Sequence, residues 1–238
     1  MNTNNIAVTK KSKTVIVTGA AGNLGQAVVQ KFLQEGYTVI GTVNPGHTLS
    51  HQQPADAFET AAVDLLNADD TEKFVQSAIK KYGTIDVAVC TVGGFAMGSI
   101  AETTSADILQ QYKLNFETAY NIARPVFLKM MEQNYGRIFL IGSKPGTDAA
   151  NSKGKVAYSL AKSLIFRLAA LLNDEAKGHG VVTIVAVPGT IDTPQNRKAI
   201  PGADFSKWVS PENIAAVIHY YCTSDAAAIR EPVIKLYG

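Results

Sequence analysis

The sequence predicts one α/β domain, a doubly wound parallel sheet of about seven strands with helices on both faces. Three observations lead there. Short runs rich in Val and Ile alternate with longer segments of helical period, the pattern of strands buried on both faces and joined by crossover helices. A glycine-rich turn joins the first such run directly to the first helical segment. No Gly/Ser- or Pro-rich linker and no repeat of fixed period divides the series, so one core is expected.

In chain order, the strands are expected at Thr14–Thr18, Thr38–Val43, 61–64, 86–91, 137–141, 181–187 and 232–236, each a short apolar run. The helices are expected at Asn23–Gln34, 69–82, 105–132, 156–177 and 211–223, because apolar residues there recur three and four positions apart. Residues 1–13 are polar and read as a flexible tail before a domain spanning 14–238. Two stretches, 44–59 and 190–209, break the rhythm; the second contains Pro194, Pro201, Gly202 and the only Trp, Trp208. Both begin at carboxyl ends of strands, where open parallel sheets bind ligands, and 190–209 is expected to cover a substrate.

Composition narrows the function classes. With 238 residues, 46% hydrophobic and 18% charged, the chain suffices for one sizeable core. The formal net charge is only +2, with Lys and Arg scattered among acids, which argues against a nucleic-acid partner. The N-terminus lacks the apolar stretch of a secretion signal, and no segment offers about eighteen uninterrupted apolar residues for a membrane span. A cytoplasmic protein without a membrane partner is expected. Cys90 lies inside a very apolar run and neither it nor Cys222 is near a second thiol, so they read as buried structural thiols and no metal is expected.

The turn Thr18-Gly19-Ala20-Ala21-Gly22-Asn23-Leu24-Gly25 points to a nucleotide. Glycines let the backbone approach a pyrophosphate, and the free N–H groups of Asn23 and Leu24 at the helix start attract its charge. At the end of the second strand an acid would grip the ribose hydroxyls of NAD, but Val43 and Asn44 stand there, with His47 as the nearest basic candidate. An uncharged pocket tolerates a 2′-phosphate better than a carboxylate would, so the reading leans to NADP(H). Asp64, followed by Leu65, is placed either at the adenine edge or in an ordinary strand-end turn.

The candidate chemistry lies further on. Tyr158 and Lys162 are four apart on an expected helix, which puts them on one face. Ser143 ends the fifth strand one loop earlier, and Asn115 lies on the helix before that. The bland alternatives are a packed Tyr158, a solvated Lys162, a turn Ser143 and a capping Asn115.

The glycine turn, Val89-Cys90-Thr91-Val92-Gly93-Gly94 at a strand end, Asn115, Ser143, Tyr158, Lys162 and Val187-Pro188-Gly189 resemble, in order and spacing, the short-chain dehydrogenases/reductases over residues 14–238. The resemblance implies a Rossmann-type domain that binds NAD(P)(H) and moves a hydride to or from a small carbonyl or alcohol. It implies Tyr158 as general acid/base, Lys162 lowering its pKa and holding the nicotinamide ribose, Ser143 positioning the carbonyl, and Asn115 anchoring a water in the proton relay. It also places Val92, Gly93, Pro188, Gly189 and Ile191 along the cofactor and Thr193 at the nicotinamide amide, with an ordinary turn threonine as the alternative. A phenol works near neutrality only if its anion is stabilised, and a nearby ammonium does that.

There are departures. Asn23 occupies the usual middle glycine position, and the usual Asn-Asn-Ala-Gly becomes Cys90-Thr91-Val92-Gly93. The loop from Thr190 to Trp208, with Gly93-Gly94-Phe95, is similar to that of dihydropteridine reductases, which makes quinonoid pteridine reduction the alternative activity. A reading of another class is a nucleotide-sensing regulator without catalysis. The segments 105–132 and 156–177 carry more apolar surface than one sheet face covers, so a homodimer or homotetramer is expected.

Overall fold

The computed structural model describes residues 12–46, 57–230 and 232–237. Its strands are β1 (Thr14–Thr18), β2 (Thr38–Val43), β3 (Phe58–Ala62), β4 (Val87–Cys90), β5 (Gly136–Ile141), β6 (Val181–Pro188) and β7 (Val233–Leu236). They form one seven-stranded sheet in the order β3-β2-β1-β4-β5-β6-β7. Every pairing is parallel, with Val15 opposite both Val39 and Val87. The helices are α1 (Asn23–Gln34), α2 (Ala68–Tyr82), α3 (Ser105–Tyr112), α4 (Thr118–Gln133), α5 (Lys144–Thr147), α6 (Val156–Glu175), α7 (Pro194–Ala199) and α8 (Pro211–Tyr220).

Strand side chains alternate between two faces, and each face has its own helices. Val15, Val17, Val39, Val87, Val89 and Ile184 pack with Val28 and Phe32 of α1 and Ile214 and Ile218 of α8. Ile16, Ile40, Ala88, Ile138, Leu140 and Val185 face the other way. They meet Val75 of α2, Ile122, Val126 and Met130 of α4, and Ile165 and Leu168 of α6. This is the doubly wound arrangement, and it explains the unbroken apolar runs of the inner strands. Helix α6 is long and apolar enough to cross a membrane by length and composition. Ile165, Leu168 and Ala169 nevertheless put one side of it in the core.

Two expectations need correction. The third strand is Phe58–Ala62 rather than 61–64. Among the described residues it pairs only with β2, from Val39 opposite Phe58 to Val43 opposite Ala62, and it is an edge strand only partly buried, so it lacks an inner strand's apolar run. The expected helix 105–132 is two helices joined by a π-helical turn, Lys113–Glu117. Such a turn inserts one residue while both flanks stay helical, so apolar spacing does not reveal it. Segment 190–209 contains α7 and a 3₁₀ turn, Phe205–Lys207, and is closed at its base by the bridge between Ile191 and Val209. The candidate His47 and tail residues 1–11 lie outside the described residues. Ser12 and Lys13 already bond to the domain, through Ser12 Oγ to the Gly36 carbonyl and Thr38 N–H to the Lys13 carbonyl.

Candidate active site

The strand order reverses direction between β1 and β4, and the chain leaves the two strands on opposite sides, opening a crevice beyond their carboxyl ends. Thr91 N–H donates to Thr18 Oγ1 at 3.1 Å and Thr91 Oγ1 donates to the Thr18 carbonyl at 2.6 Å, stitching the two tips together. The unusual Thr91 thereby has a structural use. Gly19 turns the chain with φ +64°, and a Cβ on Gly25 would lie 2.1 Å from the Gly19 carbonyl oxygen, so α1 can start this close only with glycine there.

Helix α1 has no side-chain cap and no acid in its first turn. By contrast, Asn67 caps α2, Thr104 caps α3 and Ser210 caps α8. The open N–H groups of Asn23 and Leu24 therefore suit an anion, as a dinucleotide pyrophosphate requires. Along the rim, Val43 is buried and Asn44 exposed at the end of β2, with no acid at either position. Asp64 is exposed and accepts a bond from Leu66 N–H at 3.0 Å, the ordinary turn role, while Leu65 is buried and its carbonyl accepts from Asn121 Nδ2 at 2.9 Å. Val92 and Gly93 follow β4. Pro188 ends β6, and Gly189 N–H donates to the Leu236 carbonyl at 2.7 Å. Thr193 is buried and caps α7, its Oγ1 accepting from Asn196 N–H at 3.2 Å, which is the turn alternative.

The structure brings Asn115, Ser143, Tyr158 and Lys162 together at the tips of β4 and β5. Lys162 is fully buried, its Nζ donates to the Ile141 carbonyl at 2.8 Å, and burial lowers its pKa to about 8. It reaches the tip because Gly93 makes room: a Cβ there would lie 2.8 Å from Asn115 Oδ1 and 3.3 Å from Lys162 Nζ. Burial raises the pKa of Tyr158, and the neighbouring Ser143 hydroxyl opposes that rise. Ser143 Oγ is itself buried, and no well-aligned hydrogen bond is made to it among the described residues. Lys162 Nζ is 6.0 Å from the centre of the Tyr158 ring. Lys162 thus gives its hydrogen bond to backbone, and burial is the larger influence on Tyr158.

Asn115 sits in the π-helical turn and is buried. It does not cap a helix. Its Oδ1 accepts from Gly94 N–H at 3.1 Å, and its Nδ2 donates to the Gly94 carbonyl at 3.0 Å and to Gln111 Oε1 at 3.0 Å. Phe95 follows, its ring edge-on to Tyr158 with centroids 5.0 Å apart, and both Phe95 and Met97 are exposed. Opposite, Asn23 Nδ2 donates to Gln195 Oε1 at 2.9 Å, joining the glycine turn to α7. Asp192 pairs with Arg197 through two bonds of 2.6 and 2.7 Å, and Phe205 packs on Trp208 at 4.7 Å. Gln111, Asn121 and Gln195 were not legible as site residues, since nothing in their local spacing announces a partner on another element.

The family model for short chain dehydrogenase matches residues 13–203. The acetoacetyl-CoA reductase of Acinetobacter sp. (strain RA3849) is 26% identical over 96% of this chain and 97% of its own length. The cyclic-di-GMP-binding biofilm dispersal mediator protein of Escherichia coli (strain K12) is 26% identical over 91% of this chain and 92% of its own. The crystal structure of a short chain dehydrogenase from Bacillus anthracis shares the fold, with a TM-score of 0.83 at 21% identity over 95% of each chain.

Proposed function

The chain belongs to the short chain dehydrogenase family and is an NAD(P)-dependent oxidoreductase, and we propose that it reduces a small carbonyl compound, or oxidises the matching alcohol, with Tyr158 as general acid/base. The observation that carries this reading is the convergence of Ser143, Tyr158, Lys162 and Asn115 beside the crevice whose glycine turn suits a pyrophosphate.

The nicotinamide, when bound, supplies or takes up the hydride. The chain's residues manage the proton. Tyr158 Oη donates to the carbonyl oxygen while the Ser143 hydroxyl, buried without a well-aligned partner, donates to the same oxygen and fixes it. The Lys162 ammonium, held by Ile141, lowers the cost of the phenolate that forms, because opposite charges attract strongly where water is excluded. Asn115 holds the backbone of Gly94 and so keeps the wall of the site in place. Apolar substituents of the substrate rest on Phe95, the exposed ring packed edge-on to Tyr158.

Val43 and Asn44 leave the end of β2 without a carboxylate, which favours NADP(H). The protein acts in the cytoplasm as a homo-oligomer on this reading. Leu160, Leu164 and Leu171 lie on one exposed side of α6, and Leu128 is exposed on α4, an apolar surface suited to a second copy.

The test is a screen of carbonyl and pterin compounds with both reduced cofactors, followed by nicotinamide absorbance. Turnover of one carbonyl class supports the reading. Tight cofactor binding with no turnover across the screen would favour a nucleotide-binding role instead, the kind of role the Escherichia coli relative's name describes for that protein.

A further inference from the structure

We propose that Gln111 is a positioning residue for this site: its Oε1 locks the Asn115 amide, and through it the Gly93–Gly94 backbone that walls Lys162 and carries Phe95. The proposal rests on the oxidoreductase reading and extends it to a residue outside the four that converge on the site.

Gln111 stands on the last turn of α3, four residues before Asn115, and is buried with 5% of its surface exposed. The π-helical turn that follows places the Asn115 side chain where Nδ2 donates to Gln111 Oε1 at 3.0 Å and, more weakly, to the Gln111 carbonyl at 3.3 Å. Asn115 then has one orientation. Its Oδ1 faces Gly94 N–H and its Nδ2 faces the Gly94 carbonyl, and Gln111 Oε1 takes up the remaining Nδ2 hydrogen, so both ends of the Asn115 amide are engaged. The lock matters because Asn115 Oδ1 and Lys162 Nζ both crowd the Cβ position of Gly93.

The other end of Gln111 explains why an amide is tolerated there. Its Nε2 has no protein partner among the described residues, and the side chain lines a cleft of about 450 Å³ together with Met97, Glu102, Thr103, Asp107 and Ala157. Ala157 directly precedes Tyr158, and Met97 lies two residues past Phe95, so the cleft adjoins the site rather than lying on a remote face. A residue buried purely for packing would gain nothing from an amide, whose burial costs free energy unless it is bonded. Here one end bonds Asn115 and the other meets the cleft. Glu102 and Asp107 are engaged elsewhere, accepting from Ser99 and Thr104.

The experiment compares Gln111→Met, which keeps size and loses the acceptor, with Gln111→Glu, which keeps an acceptor oxygen in either protonation state. Both are read by steady-state kinetics, by cofactor dissociation constant and by amide exchange at Gly94. Gln111→Met should lower kcat about tenfold, since small misplacements at a reacting centre are amplified in rate. KM and the cofactor constant should stay within about twofold, and Gly94 exchange should quicken, as expected when a hydrogen-bonded backbone loosens locally. Gln111→Glu should restore both kcat and Gly94 protection. An unmutated enzyme with turnover whose Gln111→Met variant keeps wild-type kcat and Gly94 exchange overturns the role of Gln111 alone, as does a Glu variant no better than Met. An unmutated protein with no turnover overturns the oxidoreductase reading and the catalytic part of this proposal, while Gly94 exchange still decides whether Gln111 positions the loop.

Discussion

Lys162 Nζ lies 6.0 Å from the centre of the Tyr158 ring and gives its hydrogen bond to the Ile141 carbonyl rather than to the phenol. On the proposed mechanism the ammonium is to act on Tyr158 through space, at the cost of its own burial, which would set activity against stability at this one position.

Removing the phenol tests the acid. Tyr158→Phe keeps the ring packed on Phe95 and should leave the cofactor dissociation constant unchanged while lowering kcat by about two to four orders of magnitude. Turnover above a tenth of wild type would end the assignment.

Removing the ammonium should stabilise the fold. Burial lowers the Lys162 pKa to about 8 from an ordinary value of 10.5. Between those values the unfolded chain binds more protons, so this lysine's contribution makes stability rise with pH, and below about pH 8 its full cost stands. The depressed pKa implies a cost of about 3 kcal/mol, from which about 1 kcal/mol is subtracted for the lost bond to Ile141. Lys162→Met should thus gain about 2 kcal/mol at pH 7, less near pH 10, and lose activity. Urea unfolding at the two pH values checks this; a Met variant less stable at pH 7 contradicts it.

Cofactor choice is read at the end of β2. Val43→Asp should raise the dissociation constant for NADPH about tenfold or more through repulsion of the 2′-phosphate, while changing that for NADH little. Titration of both cofactors against both proteins gives the answer, and strong NADH selectivity in the unmutated chain would reverse the expectation.

The exposed leucines of α6 should lie between copies. Leu164→Glu places a charge on that surface and should shift the protein to monomer in sedimentation at micromolar concentration, with the secondary structure kept. A wild-type monomer under the same conditions would remove the proposed interface.

Segment 190–209 is expected to close over the nicotinamide end. The Asn23 to Gln195 bond is exposed, so it contributes little alone, but it is the tie between α7 and the glycine turn. Amide exchange should be fast in 194–208 of the free protein, slower with cofactor and substrate, and faster again in Asn23→Ala. Equal strong protection in all three states would make the segment a fixed wall.

Much of this molecule is legible in its sequence. Strands β1 and β2 and helix α1 stand where apolar runs, period and the glycine turn place them, because those signals are written by neighbouring residues. The fold is legible for the same reason, as an ordered series of local features, while the roles of Asn115, Ser143, Tyr158 and Lys162 are what the family resemblance implies. The third strand was misplaced because an edge strand needs only half a pattern, and the π-helical turn was hidden because one added residue leaves the flanking helices intact.

The amino-acid sequence by itself determined the doubly wound class, the family and the residue types at the site. The tertiary structure alone decided that Lys162 bonds Ile141 and not the phenol, that Asn115 is locked by Gln111 onto Gly94, and that Asn23 meets Gln195 across 172 residues. The physical reason is range. Periodicity and turn chemistry follow from covalent geometry over a few residues, whereas hydrogen bonds between side chains on different elements depend on where packing of the whole core leaves each donor and acceptor.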